Sequence, residues 1–276
     1  MGQAKIKQRT AFRPQLVEEW EADDCVNFAV ALARLTGWLL HVDWWSTSTE
    51  HKEDIPLNQL KPLRVYVADN HDRIFDVRGI RSIFDFNQNT ITNIARRIST
   101  GSGSVYTRFY DEEKLSSLPL RSQLEEGKIV RAIEEILENK RYLSAIPPRN
   151  RPFLPAHQAA RFTFGLCAAF AEAMHEITGL QPVALLAIRF SPLFEGTRRN
   201  ERGYFHSVVL HPDGMAEDSW GKASLGDIAS RFGVEEFMIS SDEHRIVVEK
   251  IRQSSPERYE IALRDAGDLI LNNRRQ

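Results

Sequence analysis

The chain has 276 residues, 42% of them hydrophobic and 27% charged, with a formal net charge of −2. That composition belongs to folded domains and argues against disorder, and the length predicts one or two domains, each able to bury its own core. Lysine and arginine are scattered rather than striped, so neither a nucleic-acid surface nor a membrane surface is expected, and no apolar run approaches the roughly 18 residues of a membrane span.

The first residues, Met1 to Arg9, lack the apolar stretch of a signal peptide. The expected location is therefore the cytoplasm, with translocation into another cell left open. The elements then follow in order. A helix is predicted to start at Asp23 and Asp24, which occupy an N-cap position, to carry Phe28, Leu32 and Leu35 at helical spacing, and to stop at Gly37. Leu39–Trp45, Arg64–Ala68 and Arg73–Val77 read as strands, the last two joined by turn residues at Asp69-Asn-His-Asp72. Trp44 and Trp45 end the first strand and are expected to pack inside. After the glycine-serine stretch 101–104, a helix of about 20 residues is expected from Arg121 to Tyr142, with Ile129, Ile133, Ile136 and Leu137 on its apolar face. Four prolines between Pro147 and Pro155 rule out regular structure and mark a linker.

Beyond the linker the order repeats. Cys167–Ile177 reads as a helix stopping at Gly179, Val183–Ile188 as a strand, and His206–Leu210 with Met215–Asp218 as a hairpin turning at His211-Pro-Asp-Gly214. A last helix is expected from Glu257 to Leu271, with Tyr259, Leu263, Ala266 and Ile270 on one face. The repetition extends to residue identity. Cys25, Phe28, Thr36 and Gly37 match Cys167, Phe170, Thr178 and Gly179 at a constant offset of 142, and Asp76 and Gly79 match Asp218 and Gly221. At the position between them the first copy has Arg64 and the second His206. The chain's two cysteines thus occupy equivalent places and are expected to be thiols of a reducing compartment rather than partners in a disulfide.

Cys167 opens a helix, where unpaired N–H groups and the dipole favour a thiolate. His206 and Asp218 lie on neighbouring hairpin strands, so nucleophile, base and orienting carboxylate are all present. In the first copy Arg64 cannot serve as a base, because its guanidinium stays protonated. Asp23 and Asp24 there oppose a thiolate at Cys25, and an Arg64–Asp76 ion pair would brace the hairpin. His41 and His71 are the remaining candidates for a base in that copy. The arginine-rich stretch Arg189–Gly203, with Gly196, Arg198, Arg199 and Arg202, has the length of a functional loop and suits an acidic or backbone-reading contact with substrate. No metal site is expected, since there is no C-x-x-C and His206 and His211 face opposite sides of a strand.

Gly165-Leu-Cys-Ala-Ala-Phe170, His206-Ser-Val and Asp218-Ser-Trp-Gly221 together resemble, in order, the nucleophile, base and base-orienting segments of papain-like cysteine peptidases and the wider transglutaminase-like superfamily. The resemblance covers about 60 residues. Cys167 and His206 are only 39 residues apart, which makes this a compact form. An aspartate stands in place of asparagine, as in transglutaminases, arylamine acetyltransferases and bacterial deamidating effectors. The usual upstream oxyanion glutamine has its nearest counterpart in Gln158. The resemblance implies an α+β protein of two duplicated papain-like units, each a helix packed on a small antiparallel sheet: a degenerate unit over 1–146 carrying Cys25, Arg64 and Asp76, a linker over 147–155, and a unit over 156–276 carrying Cys167, His206 and Asp218, with Trp220 shielding the last two from water. It implies a cofactor-free thiol hydrolase or acyl-transferase acting through a thioester on a peptide bond or glutamine side-chain amide of a protein or peptide. The reading from another class is a non-catalytic tandem binding protein or scaffold. The first unit, which reads as inactive, is expected to serve as a packing partner, a substrate-recruiting surface or an inhibitory cover. The sequence leaves the oligomeric state open.

Overall fold

The computed structural model describes residues 12–50, 54–69, 73–98, 101–149, 152–163, 165–192 and 202–274. The protein is α+β, with two five-stranded antiparallel sheets. The chain divides into two compact units, Met1–Pro147 and Pro148–Gln276.

In the first unit, β1 (Leu40–Ser46), β2 (Lys61–Ala68), β3 (Arg73–Asp76), β4 (Gly79–Ser82) and β5 (Ser104–Tyr110) stand in the order β4-β3-β2-β1-β5. Every residue of β1 is buried, including Trp44 and Trp45. Alternate side chains of this central strand therefore serve two cores. Leu40, Val42 and Trp44 pack with the helix Val26–Thr36, while Trp45 packs with Leu63, Tyr66, Phe86 and Ile91. The helix Val26–Thr36 is buried on almost all sides, which its run of small and apolar residues from Phe28 to Ala33 allows. The helices Pro14–Ala22 and Glu126–Glu138 lie against it.

The entry to that helix departs from the expected N-cap. Asp24 (φ 54°) and Cys25 (φ 60°) are both left-handed, and the Cys25 N–H is spent on Trp20 O at 2.9 Å. Cys25 therefore precedes the helix instead of opening it. The expected 121–142 helix is also shorter. The Glu125 N–H is taken by Asn27 Oδ1 at 2.8 Å, so the helix begins at Glu126, and Asn139 leaves helical geometry to cap a separate turn, Lys140–Leu143. Its face is narrower than the spacing suggests: Ile129 and Ile136 are buried, whereas Leu137 is exposed.

The second unit contains β6 (Gln181–Phe190), β7 (Gly203–Leu210), β8 (Ala216–Asp218), β9 (Gly221–Ala223) and β10 (Val234–Ser240), ordered β10-β6-β7-β8-β9. Read from its other end, this is the order of the first sheet. The register agrees as well: Leu40 pairs with Val67 and Pro182 with Val209, while Val67 pairs with Phe75 and Val209 with Glu217. Each central strand pair even carries its irregularity at the same offset, between Asp43 and Trp44 and between Leu185 and Leu186. The helix Cys167–Thr178 packs on this sheet and on the C-terminal helix Pro256–Arg274.

The proline-rich stretch is not a free linker. Arg149 donates to the carbonyls of Trp220 (3.0 Å), Ser219 (3.2 Å) and Leu154, and Leu154 is buried in the core beside Trp220. Prolines forbid regular structure there but not packing. Several elements carried too weak a signal to be read. β4 and β9 have three or four residues, and β10 opens with Val-Glu-Glu on a sheet edge. The turn at His71 and the loop residues Gly196, Arg198 and Arg199 lie outside the described residues; Arg189 and Gly203, expected in that loop, belong to β6 and β7.

Gly37 (φ 67°) and Gly179 (φ 73°) end the two equivalent helices in the left-handed conformation. At Gly179 an added Cβ would meet nothing within 4 Å, so the cost of a side chain there is backbone strain alone. Gly179→Ala is expected to lower stability by about 1–2 kcal/mol, read as a lower urea midpoint at unchanged slope; an unchanged or higher midpoint would contradict the assignment.

Candidate active site

In the second unit Gly165 takes the positive φ (76°) that Asp24 and Cys25 take in the first, and Cys167 becomes the first helical residue. The thiol therefore sits at the positive end of a 12-residue helix, buried to 5% exposure. Three groups converge on it. The Tyr204 hydroxyl lies 3.3 Å from Sγ, and the His206 ring and the Ser207 backbone N–H both act electrostatically on it.

His206 is interior to β7 rather than its first residue, and it is wholly buried. Asp218 ends β8. The register places the two diagonally across the ladder on one face, not directly opposite, a spacing that long side chains bridge. His206 Nε2 and Asp218 Oδ2 are 2.8 Å apart. Nδ1 is the ring nitrogen without a hydrogen-bonded partner, and so the one available to the thiol. Asp218 Oδ1 accepts the Trp220 backbone N–H at 2.8 Å, and Oδ2 also accepts from Arg231.

The charges follow from these contacts. Burial raises the Cys167 thiol, but the His206 charge, with smaller contributions from the Tyr204 hydroxyl and the Ser207 N–H, outweighs it, holding the group below the ordinary thiol value. Burial lowers the His206 imidazolium, but Cys167 and Asp218 push it up to about 9. Burial also raises the Asp218 carboxyl, and Arg231 with His206 holds it well below the usual carboxylate range. The shifts all favour a thiolate–imidazolium–carboxylate row, with a guanidinium as the last counter-ion.

Two expected roles are revised. Trp220 supports the carboxylate through its backbone N–H, while its ring stacks under Arg149, whose Cζ lies 4.3 Å from the ring centroid. The ring against His206 is that of Phe232, with centroids 4.5 Å apart. Gln158 lies on the helix Ala156–Arg161 with its side-chain oxygen buried and without a partner. Among the described residues no hydrogen bond joins Gln158 to Cys167.

Residues that the sequence reading missed surround the trio: Tyr204, Ser207, Arg231, Phe232, and a second histidine–carboxylate pair. Ser207 Oγ lies 3.0 Å from Tyr204 Oη and 2.9 Å from His244 Nδ1, and His244 Nε2 lies 2.9 Å from Glu172 Oε1. Ser240 caps the helix Ser241–Ser254 by accepting from the Glu243 N–H. That Ser-x-x-Glu pattern is the signal that would have placed His244 one turn into a helix.

The equivalent place in the first unit is closed electrostatically. Arg64, 2% exposed, donates to Glu21 at 2.6 Å and to Asp76 at 3.2 Å. Asp76 also accepts from Arg81 at 2.6 Å and from the Arg78 backbone N–H at 2.9 Å. Asp76 thus repeats the ligation of Asp218: a partner on the adjacent strand, a second guanidinium, and the N–H two residues on. Burial pushes the Cys25 thiol up to about 12, with Arg64 opposing. The carboxylates of Asp76, Glu21 and Asp24 act in the same direction as burial but less strongly, while Asp24 pairs with Arg121 and Asp23 with Lys128. His41 packs between Tyr66 and Phe109 on the face of β1 opposite the Cys25 core. His211 pairs with Glu217 at 2.8 Å, and among the described residues no group of three His, Cys, Asp or Glu side chains is placed to hold a metal ion.

The raised His206 pKa gives a pH signature. Its imidazolium contributes fully to stability below the free value of about 6.5, and that contribution is gone once the pH passes about 9. The depressed Asp218 acts in the opposite sense. Its contribution is complete above the free value of about 3.9 and is lost as the pH falls below it. The ring protons of His206, assigned by NMR through a His206 variant, are therefore expected to titrate near pH 9, and Asp218→Asn is expected to lower that midpoint by at least about one unit. A wild-type midpoint near 6.5 would contradict the row of charges.

No protein-family model matches the chain, and neither a curated protein nor a solved structure matches it.

Proposed function

We propose that the two units are copies of one papain-like fold, and that the second is a thiol catalyst acting on an amide carbonyl. The observation that carries this reading is the buried row Cys167–His206–Asp218, standing where the first unit has Cys25, Arg64 and Asp76 in the same register. A core that needed only to fold is served by the arginine version. A buried imidazolium beside a thiol at a helix N-terminus puts a titratable cation where the arginine version has a permanent one, and perturbed groups of this kind gather at catalytic sites.

In this reading the Cys167 thiolate attacks the carbonyl carbon of a peptide bond or glutamine side-chain amide. The backbone N–H groups that open the Cys167–Thr178 helix stabilise the oxyanion. The His206 imidazolium gives its proton to the leaving amine, leaving a thioester on Cys167. Neutral His206 then takes a proton from water as the water attacks the thioester, and collapse of the adduct breaks the C–S bond, releasing the carboxylic acid and restoring the thiolate–imidazolium pair. Asp218 holds the ring through Nε2, Arg231 and the Trp220 N–H hold Asp218, and Phe232 covers the ring. The first unit keeps the fold without the base, so its use is binding rather than turnover.

The test is turnover of glutamine-containing peptides, read by mass spectrometry for both cleavage and conversion of glutamine to glutamate. Cys167→Ala and His206→Ala are each expected to reduce either activity by at least about 10³-fold, while Cys25→Ala leaves it within about twofold. Equal loss on removing Cys25, or unchanged turnover without His206, would overturn the reading.

A further inference from the structure

The side chains that lead away from the Cys167 sulfur through Tyr204 form a continuous chain. Sγ lies 3.3 Å from Tyr204 Oη, which lies 3.0 Å from Ser207 Oγ; that oxygen lies 2.9 Å from His244 Nδ1, and His244 Nε2 lies 2.9 Å from Glu172 Oε1. Ser207 and His244 are 1% and 2% exposed, and the Glu172 side chain is about one-fifth exposed. The first unit has none of this. At the same offset Tyr204, Ser207 and Glu172 correspond to Pro62, Val65 and Val30. Since the sheet and helix form without these polar groups, folding does not account for burying them in the second unit.

Two hydroxyls in series have only two consistent orientations. With His244 protonated, Nδ1–H donates to Ser207, Ser207 donates to Tyr204, and Tyr204 donates to the sulfur, which accepts best as a thiolate. With His244 neutral and its Nε2–H on the Glu172 carboxylate, Ser207 must donate to Nδ1, Tyr204 to Ser207, and the thiol S–H to Tyr204. Passage from the second state to the first moves one proton from sulfur to Tyr204, one from Tyr204 to Ser207 and one from Ser207 to His244. The sum is a thiolate and an imidazolium, with no proton lost or gained.

We propose that His244 and Glu172, acting through Ser207 and Tyr204, form a second acid–base pair that sets the charge state of Cys167, with Tyr204 as the catalytic group touching the sulfur and the other three as positioning residues. This deepens the reading of Cys167 as a nucleophile and rests on it. His206 supplies the proton for the leaving group, while the second pair keeps a donor on the sulfur when His206 has delivered its proton.

The groups that face this chain are few. His244 itself meets Ser207 and Glu172; around Glu172 are His175 on its own helix and Arg252 on the His244 helix, and Tyr259 on the C-terminal helix is acted on by Glu172, Arg252, Glu260 and Glu176. The charged residue of β6, Arg189, is engaged by Glu235 and Glu236. Around Cys167 they are His206 and Tyr204, with Asp218 and Arg231 behind the ring. The Glu172 carboxyl lies below its ordinary value, chiefly through its bond from His244. Tyr204 lies well above its own, through burial and then the Cys167 charge, so it stays a neutral donor.

The experiment is a pH titration of the thiolate ultraviolet absorbance of the full chain carrying Cys25→Ser, so that a single thiol is observed. Tyr204→Phe and His244→Gln are expected to move the thiolate midpoint up by about one unit. Below that midpoint alkylation by iodoacetamide should slow about tenfold. Glu172→Gln, whose part-exposed side chain makes it the safest change to the fold, should give a smaller shift in the same direction. Variants that melt like the parent but titrate at its midpoint would overturn the proposal. Should His244→Gln fail to fold, Tyr204→Phe and Glu172→Gln decide alone. His206→Ala separates the two readings. If it abolishes the low-pH thiolate while the other variants do nothing, only the second pair fails; if it leaves the midpoint unchanged, the assignment of Cys167 as nucleophile fails instead.

Discussion

The buried carboxylate at the end of the third strand of each sheet is the constraint on which both units depend. Asp76 and Asp218 are 1% and 2% exposed, and a carboxylate taken so far from water must be paired or become neutral. Each unit meets that demand from three directions, and two of them are the same in both: the N–H two residues on and a side chain diagonal on the neighbouring strand. The third is a guanidinium from a different place, Arg81 on β4 or Arg231 at the end of a helix. Requiring a cation diagonal to the aspartate leaves two solutions. Arginine satisfies it permanently. Histidine satisfies it only while protonated, and a group that can surrender its proton is the kind that takes part in chemistry.

That difference propagates to the cysteine. Next to Arg64, Cys25 is buried, excluded from its helix by two left-handed residues and pushed to a high pKa. Next to His206, Cys167 opens its helix, has donors from a hydroxyl and a backbone N–H, and is held low. The two thiols sit on similar helices over sheets of the same order. What separates them is a glycine at 165 that absorbs the left-handed turn one step earlier, together with the polar residues Tyr204, Ser207 and Glu172 where the first unit has Pro62, Val65 and Val30.

Much of this was legible in the sequence because the repeated spacing identified positions without reference to their chemistry. Arg64 and His206, and Asp76 and Asp218, hold the same register positions in their sheets, the two cysteines stand at the starts of their helices, and Gly37 and Gly179 end those helices as their neighbours suggested. What escaped was what periodicity does not encode. Asn27 reaching Glu125, and Asn139 capping its own turn, shortened a helix whose local pattern ran on. Arg231, Phe232 and His244 come to the site from elements beyond the hairpin, two of them from the ends of short or polar segments, so no local spacing ties them to Cys167. The proline-rich stretch was read by its backbone chemistry alone, whereas Arg149 and Leu154 bind it to the second unit through side chains.

The central claim is that Cys167, and not Cys25, is a nucleophile made reactive by His206. Brief exposure of the protein to an activated acyl ester, an acid quench and peptide mass mapping would test it most directly. The account predicts a thioester on Cys167, none on Cys25, and none on either in His206→Ala. Acylation of both cysteines to similar extents, or acylation of Cys167 that survives the loss of His206, would contradict it.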